Sequence, residues 1–135
     1  MAAVSNARLA GEGVAAGFVG GAVAHLLWTA GVAAGVPDVI DVPGQGVVAL
    51  AWWSFAAIGV ASGFGAALVA LLLDGRRRAR TLFLGASAAV LVASVTPFAS
   101  QPEAVARTTL AVLAVGHVVV FAAVVPRLAR RLRAR

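Results

Sequence analysis

Two histidines stand alone in apolar surroundings. His25 lies in "GGAVAHLLWTAG", residues 20–31, with no charged residue between Glu12 and Asp38. His117 lies in "LAVLAVGHVVVF", residues 110–121, with none between Arg107 and Arg127. A titratable ring in a segment apolar enough to sit in lipid is a functional hypothesis by default. Each imidazole has a nitrogen that can accept a proton or bind a metal. Carried at similar depth on antiparallel helices, the two rings have the arrangement that holds a haem b by two axial ligands. A proton relay or a ligand gate would use the same pair. Against these stands simple packing, in which each ring bonds to a neighbouring helix and contributes about 1 kcal/mol. At 100° per residue His25 lies to one side of a glycine stripe, with Phe18 and Thr29, while His117 shares its face with Leu110, Leu113 and Phe121. Neither ring has a polar partner on its own helix.

Other chemistry is thin. The chain has no cysteine, which removes disulfides, thiolate metal sites and thiol nucleophiles. No carboxylate falls inside an apolar run, and no phosphate-binding glycine loop, Ser/His/Asp set or metal-ligand cluster is present. Glu12, at the start of the first run, suits the positive end of a helix dipole. It is also the residue that a small transporter of the multidrug-exporter type would place in its first span. Asp38, Asp41 and Glu103 make a weak external cation site at best, and Glu103 is four residues before Arg107, as an ion pair would require. The sequence therefore argues against an enzyme and for no metal.

The elements that would position the histidines follow from composition. Hydrophobic residues make up 61% of the 135 and charged residues 12%, against roughly 45–50% and 25% in a soluble domain. The apolar runs are residues 13–36, 47–73, 81–97 and 108–126. A helix of about 20 residues crosses a hydrocarbon core of about 30 Å, so all four are long enough. The first is too long for a cleaved signal peptide and should be retained. Strands are disfavoured, because apolar and polar residues do not alternate and no barrel closes from four segments. The expected fold is all-α: one domain, a transmembrane four-helix bundle.

All eleven basic residues are arginine. Arg8 precedes the first run, Arg76, Arg77, Arg78 and Arg80 separate the second from the third, and Arg127, Arg130, Arg131, Arg133 and Arg135 follow the fourth. Arg107 alone is on the other side. Loops rich in arginine stay in the cytoplasm, so the chain should cross the plasma membrane with both termini inside. These arginines are topology and lipid-headgroup residues, and the net charge of +6 is no nucleic-acid footprint. Leu128 and Leu132 share a face of the basic tail, which should lie along the inner leaflet.

Helices in lipid associate where small residues let backbones approach. Gly13, Gly17, Gly20 and Ala24 form one such stripe, Gly59, Gly63, Ala66 and Ala70 a second, and Gly85, Ala89 and Val92 a third. These ridges pack the bundle, or leave one free for a homo-oligomer or a membrane partner. Trp28, Trp52 and Trp53 read as an interfacial belt.

The stretch "VTPFASQPEAVARTTLAVLAVGHVVVFAAVVPRLAR", residues 95–130, resembles the C-terminal half of a family of small, uncharacterised four-span membrane proteins common in actinobacteria. The shared features are Pro97, the pair Thr108 and Thr109, His117, and Pro126 before a basic tail, with Gly116 where such proteins usually carry Met. The resemblance implies architecture and membrane location, and it supplies no activity and no catalytic residue. The leading expectation is a structural or accessory membrane component without a cofactor, bound to lipid and open to a partner. A bis-histidine haem subunit and a small exporter are the alternatives.

Overall fold

Apolar, alanine- and glycine-rich runs interrupted by "PDVIDVPGQG", "DGRRRAR" and "FASQPEA" read as separate helices, each satisfying its backbone groups within itself. The computed structural model describes residues 6–42 and 44–132 and shows this arrangement. The helices are α1 (Asn6–Ala33), α2 (Ser54–Leu73), α3 (Ala79–Val95) and α4 (Arg107–Ala129), with a 3₁₀ turn, Thr96–Ser100, after α3. All four spans are long and apolar enough to cross a membrane. Arg133 and Arg135 lie outside the described residues.

The helix ends differ from the apolar runs. α1 begins at Asn6 because Arg8 and Glu12 sit on its rim rather than ending it. α4 continues through Pro126 to Ala129; proline lacks the N–H that would bond back to Ala122, at a cost of one helical hydrogen bond. The second run loses its first seven residues to other structure. Residues 39–42 and 46–49 are the strands β1 (Val39–Val42) and β2 (Gly46–Ala49), paired antiparallel from Val39 opposite Ala49 to Val42 opposite Gly46. The all-α expectation is corrected by this hairpin. Its signal was present: β-branched residues flank "PGQG", and Gly44 and Gly46 take the left-handed φ of +83° and +74° that glycine tolerates. The Gln101 side chain ties the hairpin to the α3–α4 connection, accepting from the Asp41 N–H at 3.1 Å and donating to the Asp41 carbonyl at 3.4 Å. Thr109, wholly buried, donates its hydroxyl to the Pro37 carbonyl at 2.7 Å and pins the start of α4 beneath the same loop.

α1 and α2 run antiparallel with their backbones in contact. A methyl on Gly13 would fall 2.5 Å from the Gly63 carbonyl oxygen and 2.8 Å from Ala67 Cβ, and one on Gly17 would enter the Gly59 carbonyl. The ridge facing α2 is therefore Gly13, Gly17 and Gly21, met by Gly59, Gly63 and Ala67. Gly20 turns to α4 instead, where a methyl would lie 3.0 Å from Val120 Cα. Ala24 also faces α4, beside Gly116. The single stripe expected on α1 is in fact two, because residues three apart diverge by about 60° and serve different neighbours. Ala66 likewise lies off the α1 seam, where Ala67 takes the expected role. The α3 ridge does not pack against the other helices: Gly85 is exposed and a methyl there would meet nothing within 4 Å.

The core gathers at one end, where Leu9, Ala70, Phe83, Leu128 and Ala129 meet. That is also the end bearing every described arginine except Arg107. Phe83 and Ala79 are the only buried residues of α3.

Candidate functional site

Above this core, α3 leaves the bundle and a cavity of about 500 Å³ opens between α2, α3 and α4. Its walls are the Phe55–Ile58–Val69 face of α2, the Val90–Leu91 face of α3, and Val120 and Phe121 of α4. The lining also contains Ser54, Ser62, Ser87, Ser94 and His117 and, among the described residues, includes no Asp, Glu or Arg. Each wall is an i, i+3, i+4 stripe. On α3, Ser87 and Ser94 are two turns apart around Val90 and Leu91, a pattern the sequence carries but composition alone does not mark.

His117 belongs to this cavity. Its Nδ1 lies 2.8 Å from the Leu113 carbonyl of its own helix, and its ring meets the Phe98 edge in a T-shaped contact at 5.4 Å. A carbonyl only accepts, so Nδ1 carries the hydrogen and Nε2 keeps the lone pair. Of the serines, Ser94 donates to the Leu91 carbonyl at 2.7 Å.

His25 sits elsewhere. Its ring packs on Phe55 at 5.7 Å, its Nδ1 is buried without a partner, and it does not line the cavity. Depth is matched, since neighbouring Ala24 and Gly116 touch across the α1–α4 seam. Direction is not. His25 continues the Gly13–Gly17–Gly21 ridge toward α2, whereas His117 looks toward α3, and Phe55 stands between His25 and the space that His117 faces. The pair does not fit a bis-histidine haem, which requires both rings to point into one space. Among the described residues no cluster of three His, Cys, Asp or Glu could hold a metal.

Phe55, which sequence reasoning passed over, joins these parts, touching His25, Trp28 and the cavity. Trp28 is 5% exposed, a core residue rather than part of a belt, while Trp52 and Trp53 are exposed.

Glu12 neither caps α1 nor stands as a lone embedded acid. It lies in the second turn and accepts two hydrogen bonds from Arg131, Nε and a terminal nitrogen each at 2.9 Å, with Arg8 Nε 3.4 Å away. Arg131 is thus a clasp between α1 and the end of α4, not simply a headgroup residue. Arg76, Arg77, Arg78, Arg80, Arg127 and Arg130 are exposed around the same end. No ion pair joins Glu103 to Arg107, because α4 starts at Arg107 and the two residues do not share a helix.

A model for the family of unknown function DUF6069 matches residues 4–134. The chain belongs to this family. The match takes in the hairpin and all four helices of this DUF6069 protein. No curated protein and no solved structure matches it.

Proposed function

We propose that this DUF6069 protein is a non-enzymatic accessory component of the plasma membrane, with both termini in the cytoplasm, that works by holding a guest in the α2–α3–α4 cavity. The cavity carries the reading. A space of about 500 Å³ lies in the range of about 300–1,000 Å³ typical of small-molecule sites, which likewise combine apolar walls with a few polar groups. Orientation rests on the arginines collected at one end. An exporter's proton-coupling acid is not supported, since Glu12 is engaged by Arg131.

The absence of cysteine makes single-cysteine labelling clean. In intact cells a membrane-impermeant maleimide should modify Gly44→Cys and spare Arg77→Cys until the cells are opened; the reverse pattern would overturn the orientation. For the cavity, Val90→Cys lines it and Val92→Cys does not. In protein extracted gently from native membranes, N-ethylmaleimide should react more slowly with Val90→Cys than with Val92→Cys, and exhaustive delipidation should equalise them. Equal rates before delipidation would remove the guest-holding reading.

A further inference from the structure

We propose that the cavity selects a neutral apolar molecule bearing one hydroxyl, an alcohol or phenol whose O–H donates to Nε2 of His117. This rests on the guest-holding reading and adds the chemistry of the guest.

Volume bounds the guest first. The space is open along one side, where Val90 and Ile58 are exposed, and its volume of about 500 Å³ is of small-molecule size. Apolar cavities bind small hydrocarbons; a pocket of about 150 Å³ is enough for benzene.

Charge narrows the guest further. Among the described residues no carboxylate lines the cavity to meet an ammonium, and no arginine lines it to meet a carboxylate or phosphate. A charged head in such a lining would be buried without a partner, which is strongly unfavourable. The guest's polar group is therefore neutral. Because Nδ1 of His117 is committed to the Leu113 carbonyl, the ring has only a lone pair to offer, and a lone pair selects a donor. The edge contact with Phe98 holds the ring plane so that the acceptor is presented in one orientation. A plain hydrocarbon would leave the Nε2 acceptor unpaired; a hydroxyl satisfies it.

The test uses the full chain in phosphatidylcholine liposomes with two photoactivatable probes, a diazirine-bearing hexadecanol and the matching diazirine-bearing hexadecane. Adducts are mapped by peptide mass spectrometry. The expected result is that the alcohol labels lining positions such as Val90 and Val120 about five- to tenfold more than the alkane does, the factor one hydrogen bond in apolar surroundings contributes. Labelling at lipid-facing Leu72 should not distinguish the probes. His117→Phe should bring the lining ratio to one, and His117→Gln, which keeps an acceptor, should retain part of it. If His117→Phe does not fold, Val90→Trp fills the cavity and should abolish lining adducts of both probes at Val120 while leaving those at Leu72. Equal lining labelling by alcohol and alkane in the unmodified chain would overturn the hydroxyl inference and leave guest-holding intact. No lining labelling by either probe would overturn both. Quantitative disulfide formation between Val90→Cys copies would show that a second chain covers the cavity, and the proposal would fail.

Discussion

The seam between α1 and α2 and the setting of α3 are two solutions to one problem, how helices that are apolar nearly all round hold together. On the seam, glycines meet glycines: Gly13 with Gly63 and Gly17 with Gly59. Each helix supplies small residues at the same heights, so the backbones touch over several turns and dispersion accumulates. α3 also has a small-residue ridge, at Gly85 and Ala89, but it faces outward and meets nothing. It is held by Phe83 at one end, Phe98 just past its other end touches His117, and the space opens between the two. A small-residue ridge becomes an interface only where its counterpart lies opposite; without one the helix stands off and leaves a space.

The contrast can be broken at several points. Gly17→Leu drives a side chain into the Gly59 carbonyl and should cost about 3 kcal/mol, or abolish the folded species, seen as loss of a monodisperse peak in mild detergent. Phe83→Ala removes the ring that anchors α3. In the proposed membrane setting, where lipid already provides an apolar environment, the loss is mainly packing, and about 2 kcal/mol is expected in thermal melts followed by fluorescence of buried Trp28. Thr109→Val keeps shape but leaves the Pro37 carbonyl without its donor, an expected loss of about 1 kcal/mol by the same assay. Glu12→Gln weakens the clasp to Arg131; the pair is partly exposed, so about 0.5 kcal/mol is expected, shrinking further in high salt. Gly85→Leu sharpens the comparison from the other side: it should change stability by less than about 0.5 kcal/mol. A large loss there would mean that the outward face of α3 is packed against something.

Much of the architecture was legible in residue order. Four uninterrupted apolar runs, the breakers between them and the gathering of arginine at alternate ends follow from composition, and the helices fall close to those runs. The hairpin was legible and overlooked: the valines around "PGQG" are strand formers, yet they look like the margins of neighbouring spans when hydropathy alone is summed. The candidate site was half legible. His117 was singled out and lines the cavity, while Phe55, Phe98 and the serines around it resemble ordinary lipid-facing or packing residues until three helices are assembled.

By itself the sequence determined that apolar segments alternate with polar connections, that one set of ends is rich in arginine, and that two imidazoles lie at comparable heights. These are properties of a single chain read along its length, set by which groups tolerate lipid. Only the tertiary structure decided that the α1 glycines divide between two neighbours, that His25 and His117 look in different directions, and that α3 stands away to leave a cavity. Those depend on the rotation of each helix about its axis. That rotation is settled by which small residues on facing helices meet, and no single helix carries that information.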